Sequence, residues 1–175
     1  MTQARVRLRR AREGDVAALL GLINGFAERN LLLPRTEGSI FGRLGDFVVA
    51  ESGGVVVGCG AVTALGPGLG EIRSLAVRVD HAGQGLGGRI VAHLLEEASQ
   101  RGFAEILALT RRVSFFSGLG FEVTRRERFL DKLEADCRAC PMNLQCDETA
   151  MVRPVKASHR VTEITENDRE GVALR

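Results

Sequence analysis

Gly83, Gly85, Gly87 and Gly88 fall within six positions of VDHAGQGLGGRI, Val79 to Ile90, between an apolar run and a helix-like one. Glycines at a strand-to-helix junction let the backbone approach an anion and present unpaired N–H groups at a positive helix end. A tight turn that needs positive φ would use the same residues with no ligand at all. Spacing separates the phosphate motifs. A P-loop requires Gly-Lys followed by Ser or Thr, and the chain has no Gly-Lys pair. Gly83, Gly85 and Gly88 do fit G-x-G-x-x-G. A dinucleotide site, however, expects an acidic residue about 20 positions later, at the end of the next strand. That strand ends LALTRR, with Glu105 at its start instead.

Other side chains suit different chemistry. Glu71 opens the run EIRSLAV; a carboxylate there can take a proton directly or through water, or be no more than a solvated charge at a strand end. Arginine supplies all but two of the 24 basic residues, with lysine only at 132 and 156. Arg35 in a loop and Arg73 on the EIRSLAV run could each grip a carboxylate through a planar fork. Cys137, Cys140 and Cys146 are spaced C-x2-C-x5-C, half of the paired pattern of a structural zinc site. Nothing in the sequence chooses a fourth ligand among His81, His159, Asp147 and Cys59, so the segment is read as carrying reduced thiols, with zinc the lesser alternative. Cys59, within VVVGCGAV, reads as a small buried hydrophobe.

These residues must be positioned by a folded chain, and the composition allows one. With 175 residues, 45% hydrophobic and 26% charged, the chain is expected to form one domain with a real core. A net charge of +2 with dispersed arginines, and no Trp or Tyr for stacking, argues against nucleic acid as a partner. No apolar run reaches membrane-spanning length, and MTQARVRLRRARE lacks the apolar centre of a signal peptide. The expectation is a cytoplasmic protein with no membrane partner.

VRLRRARE alternates as a first strand whose arginines should face solvent, and Asp15 is expected to cap the helix VAALLGLINGFAER. DFVVAESGGVVVGCGAVTAL reads as a hairpin and EIRSLAVRV as a central strand feeding the glycines. GRIVAHLLEEASQRG is a helix closed by Gly102, AEILALT a buried strand, RRVSFFSGLG a short helix and FEVTRRERFL a returning strand. This order predicts a mixed α/β sheet with helices on its faces. The domain is expected over residues 1–152, with a cysteine-containing segment at 131–152 and a polar, flexible tail at 153–175.

Two of these stretches, taken together, resemble the GNAT superfamily of acetyl-CoA-dependent N-acetyltransferases. EIRSLAVRVDHAGQGLGGRIVAHLL is similar to that family's strand, pyrophosphate loop and helix, and FFSGLGF, Phe115 to Phe121, to its second signature. The resemblance implies a mostly antiparallel central sheet flanked by helices, with acetyl-CoA as co-substrate. It implies coenzyme contacts from the backbone of Leu75, Ala76 and Val77, from Gly83, Gln84, Gly85, Leu86, Gly87 and Gly88, and from Phe116. Two departures stand out. Ala82 replaces the usual Gln or Arg, and Phe116 stands where many members carry a tyrosine acid. Glu71 would be the catalytic proton acceptor. NLLLPRT, VVGCGAV, EIRSLAV, ALTRRVSFF and CRACPMNLQCDETAM further resemble short, single-domain N-acetylglutamate synthase-like proteins. That likeness implies L-glutamate as the amino-acid acceptor, held by Arg35 and Arg73, in arginine biosynthesis. Other small amines, a protein amine, or a non-catalytic acetyl-CoA sensor are the alternatives. Members of this fold often form homodimers, and nothing in the sequence fixes an interface.

Overall fold

The computed structural model describes residues 5–138, 140 and 143–156. Strand β1 (Arg7–Arg10) leads into helix α1 (Val16–Ala27) and the short α2 (Glu37–Phe41). Strands β2 (Phe47–Ser52), β3 (Val55–Gly66) and β4 (Leu69–Val77) follow as an antiparallel meander, and α3 (Leu86–Gln100) crosses back to β5 (Glu105–Thr110). Helix α4 (Val113–Gly118), the two-residue β6 (Glu122–Val123), the short α5 (Leu130–Lys132) and β7 (Thr149–Pro154) complete it. The seven strands lie in the order β1-β2-β3-β4-β5-β7-β6. Among the described residues only β4 and β5 pair in parallel, because α3 forms the crossover that a parallel pair needs.

Alternation along the strands divides the apolar residues between two faces. Val48, Val57, Val62, Ile72, Ile106 and Met151 meet Ile90, Val91 and Leu94 of α3. On the other face, Val49, Cys59, Ala61 and Ala76 receive Val16, Leu19 and Ile23 of α1. A third cluster on that face joins Leu107, Ala150 and Val152 to Phe129, just ahead of α5. The acidic and basic residues discussed below lie on this second face.

Several elements differ from the sequence expectation. FEVTRRERFL pairs only at Glu122–Val123 before a 3-10 turn at Arg126–Arg128. The strand beside β5 is instead β7, from Thr149, within the cysteine-bearing segment. β7 runs through Arg153 and Pro154, where the tail was expected to begin, and the backbone N–H of Val155 donates to the Ala104 carbonyl at 2.8 Å. Residues 157–175 of the expected tail lie outside the described residues.

Asp15 does stand at the start of α1, but its side chain makes no capping bond. It accepts instead from Arg9 Nη1 at 2.6 Å, Arg9 Nη2 at 2.9 Å and the Arg12 backbone N–H at 2.7 Å. Arg9 also binds Glu51, so this arginine is largely buried rather than facing solvent. Bonds to a guanidinium outweigh a neutral cap, and they set the choice. The Arg9 guanidinium holds the Asp15 carboxyl below its ordinary value, against the opposing effect of burial. Asp15→Ala should therefore cost about 2 kcal/mol at neutral pH in urea unfolding. A depressed folded pKa gives stability that is full above the ordinary carboxylate range and lost as pH falls through the folded value. The difference between wild type and variant should shrink accordingly in acid.

Candidate active site

The central strand is where the sheet opens. β4 pairs with β5 only from Leu69 to Ile72, opposite Glu105 to Ala108. Beyond Ile72 the two strands are not paired, although β4 continues to Val77 and β5 to Thr110. Across β4's other edge, Arg73 faces Ala61 and Ala76 faces Cys59, so three steps on β4 match two on β3. The extra residue is a β-bulge, and Ser74 carries its positive φ of 51°. The bulge flips the alternation: Glu71 and Arg73 lie on the α1 face, whereas Leu75 and Val77 pack toward α3. Cys59 Sγ donates to the Ser74 carbonyl at 3.4 Å and pins the bulge. Burial pushes the Cys59 thiol up to about 12. In native protein Cys59 should resist iodoacetamide while half-buried Cys140 is alkylated, a contrast that peptide mass spectrometry reads directly.

The glycine turn lies past the end of β4. Gly83 and Gly85 both take φ of 74°, a conformation strained for residues with a Cβ. Gly85 stands at the N-cap of α3 without a side-chain cap, and the first helical bond runs from Arg89 N–H to the Gly85 carbonyl. The N–H groups of Leu86, Gly87 and Gly88 precede that bond and form the donor-rich end of a fifteen-residue helix. A Cβ on Gly87 would lie 3.4 Å from the Phe115 ring. Phe115 is thus the aromatic against the turn. Phe116 is turned into the core, edge-on to Phe115 and Phe121 with centroids 5.1 Å from each.

Glu71 is not a solvated strand-end charge, since only 3% of it is exposed. Arg73 Nε donates to its Oε2 at 2.5 Å, and Lys132 Nζ lies 2.9 Å from both of its oxygens. Lys132, itself buried, also binds Asp136 Oδ2 at 2.9 Å, and Arg73 Nη2 pairs with the same oxygen. Two cations and two carboxylates form a closed ring under α5. Sequence reasoning did not single out Lys132 or Asp136, which lie about sixty positions from Glu71 and Arg73.

Arg35 enters from the loop before α2. Asn24 of α1 holds its backbone through Arg35 N–H to Oδ1 at 2.9 Å and Nδ2 to the Arg35 carbonyl at 3.0 Å. Its guanidinium is half-buried and has no hydrogen-bond or ion-pair partner among the described residues. Burial lowers its pKa, and the nearby positive charge of Arg73 acts in the same direction. The two arginines named from sequence are near enough for their charges to act on one another.

One cysteine of the C-terminal segment meets a different arginine. Arg126 Nη2 donates to Cys146 Sγ at 3.3 Å and to the Glu148 carbonyl at 2.5 Å, while Cys140 N–H closes a turn on the Cys137 carbonyl. Burial raises both the Cys137 thiol and the Glu148 carboxyl. Among the described residues no group of three or more His, Cys, Asp or Glu is assembled to hold a metal. His159 lies outside the described residues. No helix among them is long and apolar enough to cross a membrane.

A bare helix N-terminus behind two positive-φ glycines, beside an unpaired strand edge, suits a phosphate-bearing ligand with an extended amide arm. The comparisons with known proteins agree. Residues 25–121 match the Acetyltransferase (GNAT) family. An uncharacterized N-acetyltransferase of Chlorobaculum tepidum is 35% identical over 146 residues, covering 83% of this chain and 94% of that one. An amino-acid acetyltransferase of Mycobacterium tuberculosis is 38% identical over 117 residues, 65% of this chain and 67% of that one. Among solved structures, the N-acetylglutamate synthase of Neisseria gonorrhoeae, complexed with coenzyme A and N-acetyl-glutamate, superposes with a TM-score of 0.78 at 26% identity. The match covers 89% of this chain but only 36% of the longer neisserial one. A Mycobacterium tuberculosis protein complexed with CoA and NLQ gives 0.75 at 28% identity, covering 86% of this chain and 99% of that one. The chain belongs to the GNAT family, the acetyl-CoA-dependent N-acetyltransferases.

Proposed function

We propose that the protein transfers the acetyl group of acetyl-CoA directly to the α-amine of L-glutamate, the first committed step of arginine biosynthesis. The observation that carries the acceptor is Arg35, a half-buried guanidinium without a partner among the described residues, close enough to Arg73 to feel its charge. A half-buried cation without a partner calls for an anion. The amino-acid acetyltransferase of Mycobacterium tuberculosis and the neisserial synthase bound to N-acetyl-glutamate support the same choice.

Acetyl-CoA supplies the acetyl group as an activated thioester. The N–H groups of Gly83, Gln84, Gly85, Leu86, Gly87 and Gly88 would cradle its pyrophosphate, which leaves Ala82 little to replace. The unpaired β4 edge at Leu75, Ala76 and Val77 would pair with its pantetheine amides and orient the thioester carbonyl. Arg35 and Arg73 fix the acceptor so that its amine meets that edge. Both oxygens of Glu71 are engaged by Arg73 and Lys132. Its role in this reading is first to hold Arg73 in place, and any proton it takes arrives through water.

Thiol release from acetyl-CoA, measured against a panel of L-amino acids with glutamine and aspartate included, tests the reading. Turnover with glutamate far above the others is expected. Equal turnover across the panel, or none, would sink glutamate as acceptor.

A further inference from the structure

Within the ring of Glu71, Arg73, Lys132 and Asp136, one member differs from the rest. The side chains of Glu71, Lys132 and Arg73 are 4%, 9% and 15% exposed, whereas that of Asp136 is 36% exposed. Glu71 uses both oxygens on the two cations. Asp136 uses one, Oδ2, which receives both Arg73 Nη2 and Lys132 Nζ. Asp136 also sits in a π-helical turn, Leu133–Cys137, a rare backbone form often found at functional sites. A short side chain, attached through a single oxygen and open to water, is the one a dissolved carboxylate can replace.

Charge counting gives the same answer. Arg73 and Lys132 carry two positive charges against the single negative charge of Glu71. Asp136 makes the group neutral while it is in place. With Asp136 turned away, one positive charge is uncovered, and Arg35 provides a second close by. Two uncovered cations, near the bulge where the sheet opens, match the two carboxylates of an acidic amino acid.

We propose that Asp136 occupies the seat of an acceptor carboxylate, and that the acceptor displaces it by side-chain rotation to bind Arg73 and Lys132 while Arg35 takes the second carboxylate. The inference rests on the dicarboxylate reading above. It adds Lys132 as a substrate-binding residue and makes Asp136 an internal competitor that sets acceptor affinity. Lowering of the Asp136 pKa fits an oxygen shared by two cations, which prevail over the burial that opposes them.

Steady-state kinetics of wild type, Asp136→Asn and Lys132→Met test it, joined by a thermal-shift titration with glutarate. Asp136→Asn should lower the KM for L-glutamate about tenfold, leave the KM for acetyl-CoA unchanged and increase the stabilisation by glutarate. Lys132→Met should raise the glutamate KM and abolish the glutarate shift. A merely structural Asp136 would lower Tm and leave the glutamate KM unchanged or higher, and that result overturns the proposal. Should Asp136→Asn fold poorly, Asp136→Ala and Asp136→Ser carry the same expectation. The two readings fail separately. Wild type inert toward glutamate, with glutarate still stabilising Asp136→Asn more than wild type, removes glutamate but keeps the displaced carboxylate. Active wild type with no gain in Asp136→Asn does the reverse.

Discussion

Replacing Arg35 with alanine is expected to raise the KM for L-glutamate, the proposed acceptor, by about thirtyfold or more and to leave the KM for acetyl-CoA unchanged. Truncating one partner of a desolvated charge pair costs about 2 kcal/mol or more, and each 1.4 kcal/mol is a factor of about ten. The coenzyme is expected to be spared because the charges that act on Arg35 are those of Arg73, Asp136, Glu71 and Arg43, none of them in the glycine turn. Arg35→Lys should recover only part of the loss, since an ammonium keeps the charge but cannot reproduce a planar fork. The loop itself should stay in place, because Asn24 holds the Arg35 backbone and not its side chain. An unchanged glutamate KM in Arg35→Ala would remove this arginine from the acceptor site.

The second large effect is expected at Glu71. Glu71→Gln leaves Arg73 and Lys132 buried with only Asp136 to balance them, and removing one partner from a buried ionic group costs about 3 kcal/mol or more. For a chain of this size that corresponds to a Tm about 6–12 °C lower. The kinetic signature separates two roles. An anchor that positions Arg73 loses affinity, so the glutamate KM should rise with kcat changed less. A residue that takes the substrate proton loses kcat, and the acidic limb of the pH–rate profile disappears with it. The geometry favours the first outcome, since both carboxylate oxygens are already committed to cations.

What sequence could foresee follows how local each signal was. The glycine turn and α3 were legible because positive-φ glycines, a helix N-terminus and a helical apolar period all lie within about two dozen residues. The meander from Phe47 to Val77 was legible through its alternation and its Ser-Gly-Gly turn. β7 was missed because Thr149–Pro154 is a short run behind three cysteines and two acids, a pattern that suggested chemistry before structure. FEVTRRERFL was read too long, since its charged residues alternate with few apolar ones to bury. Asp15 misled differently: its position is that of a cap, but a guanidinium on β1 outbids the helix for its oxygens. Glu71, Arg73 and Arg35 were singled out by type. Lys132 and Asp136 are an i,i+4 pair that reads as an ordinary surface ion pair, and only the fold brings Glu71 and Arg73 of the sheet to it.

The short parallel pairing of β4 with β5 has a mechanical meaning. Four residues on each strand form the seam between two plates, β1 to β4 with α3 on one side and β5, β7 and β6 with α4 on the other. The glycine turn rides on the first plate, and Phe115, which touches it, on the second. Below the seam the protein is stitched by backbone bonds; above it, the wedge lacks a strand's worth of them. A ligand that fills this wedge completes the sheet's own hydrogen bonding, and by mass action its binding energy becomes folding energy. If the donor binds as proposed, it is also a removable part of the scaffold, withdrawn and restored at each turnover.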